Sequence, residues 1–204
     1  MNHIFRYAAV AFFCASLFLI AGGDTANSNW PSWRGPTENG IALATPPVQW
    51  SEGENIKWKI EIPGSGHATP VIWEDRIYVL SAVKSEKVQQ QKESAQKDGK
   101  KRRRRGVQPD HVLKFTVLAL DRHSGETIWE RVAIEAAPHE GTHLDATWAS
   151  NSPITDGQHL FAHFGSRGIF CYTMDGELVW QKDLGDMRTR RGFGEGSSPA
   201  LHGN

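Results

Sequence analysis

Residues 152–180, SPITDGQHLFAHFGSRGIFCYTMDGELVW, hold four short apolar or alternating runs: 152–155, 159–164, 169–172 and 177–180. Asp156-Gly157 separates the first two runs, 165–168 (GSRG) the middle two, and Asp175-Gly176 the last two. Asp-Gly between apolar runs is the strongest short-range hairpin signal, because its turn needs residues that accept φ > 0. The stretch predicts one complete four-stranded antiparallel sheet.

The pattern recurs. Residues 69–79 (TPVIWEDRIYV) match the opening of the unit, and 117–129 (VLALDRHSGETIW) match its close with one extra turn residue. A third opening stands at 198–203 (SPALHG), and a closing run alone at 55–58 (NIKW). Trp58, Trp129 and Trp180 therefore occupy equivalent places. A large ring at a fixed repeat position points to packing between neighbouring sheets, since stacked repeats bury a continuous core. The expected architecture is all-β, built of four-stranded antiparallel blades.

Taken together, Ser-Pro, an apolar strand, a turn, a Tyr/Phe-rich strand, Leu-Asp-x-x-Ser-Gly or x-Asp-Gly, then Trp resemble the repeat of quinoprotein-like β-propellers. That family includes the pyrroloquinoline quinone (PQQ) alcohol dehydrogenases and a non-enzymatic outer-membrane assembly propeller. The opening 29–36 (NWPSWRGP) and the run 63–67 (PGSGH) resemble a secreted bacterial branch of it. The resemblance covers residues 29–204 apart from one insert. It implies a binding or assembly scaffold with a protein or cell-envelope partner, or alternatively a fragment of a PQQ-dependent dehydrogenase. Those enzymes carry an adjacent Cys-Cys pair, a calcium cradle of Glu, Asn and Asp, and an Asp base; this chain has no Cys-Cys. PQQ is thus a possible cofactor only. Propellers typically have about four to eight blades, so residues 50–204 read as the N-terminal portion of a larger propeller whose other blades are not in this sequence.

Residues 1–23 read as a signal peptide: Arg6 supplies a positive start, 7–20 is almost wholly apolar, and Ala21-Gly22-Gly23 offers small residues for cleavage. The apolar run is shorter than the ~20 residues that span a bilayer. The expected location is periplasmic or secreted, with no transmembrane segment after cleavage. Cleavage would leave Cys171 as the only cysteine. Residues 24–49, rich in Pro, Gly, Asn and Ser, read as an extended lead-in held by Trp30 and Trp33.

Lys and Arg total 23 against 23 Asp and Glu, so no bulk preference for nucleic acid follows. The basic residues are nonetheless concentrated. Residues 84–105 hold ten of them against three acidic ones and almost no apolar side chains. A basic, disordered insert is expected at 84–109, between two strands of the first repeat. The Arg run at 102–105 matches a nuclear-localisation or nucleic-acid pattern, but behind a secretory signal a solvated loop, or one touching anionic lipid head groups or polysaccharide, is the better reading.

Residues 139–143 (HEGTH) fit H-E-x-x-H, which binds zinc when a helix places both histidines on one face. Pro138 and Gly141 argue against that helix, leaving His139 and His143 as weak metal candidates. The glycine clusters at 64–66 and 192–196 precede opening strands, where the chain passes close to other backbone. The segments leading into the three openings would converge at one end of a channel. Their polar residues His67, Asn151 and Glu195 are the candidate ligand contacts, unless each only satisfies its own turn.

Overall fold

The computed structural model describes residues 29–42, 44–88, 106–189 and 192–202. The signal-peptide reading, the Arg run and most of the basic insert lie outside them. Among the described residues two four-stranded antiparallel sheets make up the fold, with a 3-10 turn at Gly165–Arg167. The first contains β1 (Val71–Trp73), β2 (Arg76–Val88), β3 (His111–Asp121) and β4 (Thr127–Ala136), in that spatial order. The second contains β5 (Ile154–Thr155), β6 (His159–His163), β7 (Ile169–Thr173) and β8 (Leu178–Lys182). All-β architecture and both four-stranded units thus agree with the sequence pattern. Among the described residues no helix is long and apolar enough to cross a membrane.

The two sheets pack face to face. Tyr78, Leu80, Phe115, Val117 and Ala119 of the first meet Leu160, Ala162, Phe170 and Tyr172 of the second in one buried cluster. Period-two alternation produces this: each inward residue is followed by one on the opposite face. Both sheets carry a register shift between β3 or β7 and the closing strand, at Ala119/Leu120 and at Cys171/Tyr172. Each lies beside a turn glycine, Gly125 at φ 79° and Gly176 at φ 82°. In the Asp-Gly turns only the glycine takes positive φ, correcting the two-residue form expected. The aspartate acts differently: Asp156 Oδ1 accepts from the backbone N–H of Gln158 at 2.8 Å and of His159 at 2.6 Å.

The lead-in docks where the opening strands lie. Trp30 pairs with Ile72 by two backbone hydrogen bonds of 2.8 and 2.9 Å, and the Thr155 N–H donates to the Pro31 carbonyl. Trp33 does not hold it, being 53% exposed with Arg34 stacked over its ring. The segment 55–60 also departs from expectation. It forms no strand: Asn55 lies in a bend at φ 59°, and no backbone–backbone hydrogen bond joins residues 55–64 to another segment among the described residues. Among the described residues it is attached by side chains, chiefly Trp58 and Lys57.

Strand β2 continues past Lys84, where the insert was expected to begin, to Val88. A small charge cluster closes its base: Lys84 Nζ lies 3.1 Å from Asp110 Oδ2, and His111 Nδ1 lies 3.1 Å from Oδ1. The nearby His111 imidazole, then the hydrogen bond from Lys84, holds the Asp110 carboxyl down to about 2, against an ordinary 3.8. A carboxyl depressed on folding stabilises the fold fully above its unfolded value and ceases to as pH falls through its folded one. Asp110 should therefore titrate with a midpoint near 2 by NMR, its contribution disappearing between 3.8 and about 2. A midpoint at the ordinary value would show the cluster is not formed.

Candidate functional site

Three segments converge at the end of the sheets where the opening strands begin: 138–151, the β6–β7 turn, and the described residues 186–189 and 192–197. They enclose a space of about 20 Å³ walled by His139, Glu140, Asn151, Arg167 and Glu195, room for about one water molecule. Asn151 and Glu195, two of the three candidate contacts, are thus brought together.

Both are engaged with protein. Asn151 is 1% exposed, and its Nδ2 donates to the Ser197 carbonyl at 2.7 Å and to His163 Nδ1 at 2.9 Å. Glu195 lays its carboxylate on the β6–β7 turn. Oε2 accepts from the Ser166 backbone N–H at 2.6 Å, and Oε1 accepts from the Ser166 hydroxyl. Gly165 at φ 57° makes room, since a Cβ there would overlap that carboxylate. Beside it, Asp186 Oδ1 takes Arg167 Nη2 at 2.6 Å and His139 Nδ1 at 3.2 Å. Buried His163 Nε2 and Arg167 Nε have no partner among the described residues.

His67 belongs elsewhere. Its backbone N–H donates to the Ala149 carbonyl at 3.1 Å, but its side chain is exposed and borders a groove of about 650 Å³ on the outer face of the first sheet. Sequence reasoning missed His163, Ser166, Arg167 and Asp186. The turn GSRG signalled a reversal, but nothing local in it indicated a carboxylate arriving from 29 residues downstream.

The H-E-x-x-H segment is not helical: it bends at His139 and Glu140, and Thr142 pairs with Val107 by backbone hydrogen bonds of 2.8 and 2.9 Å. His139 turns to Asp186, whereas His143 packs edge-on against Phe193 with centroids 5.3 Å apart. Glu140 accepts from the backbone N–H of Thr189 at 3.0 Å and also from its hydroxyl. The segment fastens the 186–197 loop rather than presenting two imidazoles together.

The openings of the repeats are linked in series. The Thr69 N–H donates to Ser152 Oγ at 2.9 Å, and the Ser152 N–H donates to Ser198 Oγ at 2.9 Å. Thr69-Pro70, Ser152-Pro153 and Ser198-Pro199 stand in one row, each unit handed to the next by the same bond.

Compared with known proteins, the chain matches no protein-family model, and no curated protein is significantly similar to it. Among the described residues no three His, Cys, Asp or Glu side chains are grouped to hold a metal ion. Cys171 is 1% exposed within β7, and burial raises its thiol above the ordinary value.

Proposed function

We propose that this chain is a periplasmic or secreted quinoprotein-like β-propeller repeat protein that acts as a binding or assembly scaffold and is non-catalytic. The observation that carries this reading is the serial Thr69–Ser152–Ser198 link, which advances one unit at a time as blades around an axis would. The loop end supports it: Asn151 holds the Ser197 carbonyl and Glu195 holds the Ser166 backbone of the β6–β7 turn, which shapes a rigid loop surface. On this reading the chain is the N-terminal portion of a larger propeller, delivered by cleavage near Gly23, and its partner is a protein or other component of the cell envelope.

Absorbance and fluorescence titration with PQQ and calcium, alongside alcohol- and sugar-dependent dye reduction, tests it. The expected result is no saturable binding and no reduction, with the exported product beginning near Asp24. Saturable PQQ binding with substrate-dependent reduction would overturn it in favour of a dehydrogenase.

A further inference from the structure

One joint occurs twice inside the chain. Trp58 lies against Gly125, where a Cβ would meet its ring at 2.7 Å, and its Nε1–H donates to the Arg122 carbonyl at 2.9 Å. Trp129 lies against Gly176, again with a Cβ at 2.7 Å, and its Nε1–H donates to the Met174 carbonyl at 3.1 Å. In each case a closing-run tryptophan covers the turn glycine of the following unit and bonds the carbonyl just past the preceding strand end.

Trp180 is the third member. It is 44% exposed, and among the described residues nothing accepts from its indole N–H. The strand register makes the equivalence exact in position. Tyr78, Ala119 and Trp129 stand opposite one another across β2, β3 and β4, on the face buried against the second sheet. Phe161, Cys171 and Trp180 stand in the same way across β6, β7 and β8, on the outer face of the second sheet. The receiving side repeats too. Leu160 and Tyr172 form the row that the second sheet offers to the first. Its counterpart, Ile77 and Leu120, lies in the outer groove of the first sheet.

The chain therefore carries both halves of its own internal interface, one on each outer face. We infer that a second copy of this chain docks head to tail, placing Trp180 on Gly125 and the Phe161–Trp180 row on the Ile77–Leu120 row. Trp58 must leave Gly125 for this to happen. Its segment is suited to release: Ile56 and Ile60 are 44% and 37% exposed, and no ladder bond holds it. An interface between two different patches can continue from copy to copy, so it yields rings or chains rather than a closed pair. The inference rests on the repeated joint and concerns the 204-residue chain itself; further blades, where present, would cover the same two faces, so failure of the association leaves the scaffold reading standing.

Sedimentation of the full chain over a range of concentrations decides it, with thermal melts confirming that each variant folds. Wild type should associate as concentration rises. Trp180→Ala should remain monomeric, while Trp58→Ala, which frees Gly125, should associate at about tenfold lower concentration, as expected when a competing contact is removed. Gly125→Ala should block the receiving side. Mixed with Trp180→Ala it should give a 1:1 dimer that grows no further, because only one joint can form. A wild type that is monomeric throughout would overturn the inference. So would a Trp180→Ala variant that associates like wild type, which would make the contact non-specific adhesion of exposed sheet edges.

Discussion

Trp129→Ala is expected to destabilise the fold by about 3–5 kcal/mol, the usual cost of deleting a buried large aromatic ring. Trp129 is 8% exposed and joins the two sheets. Its ring lies 5.9 Å from Tyr78 and 6.3 Å from Tyr172 between centroids, and Arg131 stands over it at 5.8 Å. The change removes this packing and leaves the Met174 carbonyl with fewer donors. Arg76 still donates to it at 2.5 Å, so loss of packing dominates. Since a small domain is stable by only about 5–15 kcal/mol, the variant should be near the limit of folding. The three equivalent tryptophans should then rank by burial, with Trp58→Ala milder and Trp180→Ala smallest in the monomer. Urea denaturation followed by far-UV circular dichroism gives the comparison. Equal losses at Trp129 and Trp180 would show that repeat position, not burial, sets the cost.

The second large effect is expected at Gly176, from the other side of the same joint. Gly176→Ala meets two obstacles. Its φ of 82° is one that L-residues adopt at a cost of about 1–2 kcal/mol. The added methyl would also lie 2.7 Å from Cδ2 and 2.9 Å from Cε2 of Trp129, so the ring or the turn must move. Gly185 separates the two terms. It has φ 77° and nothing within 4 Å of a Cβ, so Gly185→Ala carries the backbone cost alone. Gly176→Ala should exceed it by about 1–3 kcal/mol, the range for overpacking a filled site, with a matching change in Trp129 fluorescence. Equal melting shifts for both variants would mean that the ring yields freely and the joint is loosely packed.

The unit at 152–180 could be read residue by residue because its signals are local. Alternation in β6 and β7 sets which face is buried, and Asp156-Gly157 and Asp175-Gly176 sit where the chain reverses. The same local matching placed the three tryptophans in register. The segment around Trp58 shows the limit of that reasoning. Its sequence matches β4 and β8, yet a strand exists only where a neighbour supplies the opposite half of each hydrogen bond. With no neighbour in the described structure, the pattern gives an unpaired segment attached through Trp58 and Lys57, whose Nζ lies 3.1 Å from His123 Nδ1.

The rim divides in the same way. Asn151 and Glu195 could be found by aligning the segments that precede each opening, and the structure brings them to one end. His67 satisfied the same alignment but projects into the outer groove. The two histidines of 139–143 have the spacing of a metal motif only on a helix. Thr142 is drawn into pairing with Val107, 35 residues upstream, and without a helix the two side chains go to separate partners, Asp186 and Phe193.

The sequence by itself determined the four-strand unit, its repetition and the register of its tryptophans, because hairpin turns and period-two burial act between near neighbours. Only the tertiary structure decided which tryptophan is buried, what Glu195 holds and where the histidines point. Those outcomes depend on carbonyls and rings brought from tens of residues away, whose approach no local pattern encodes.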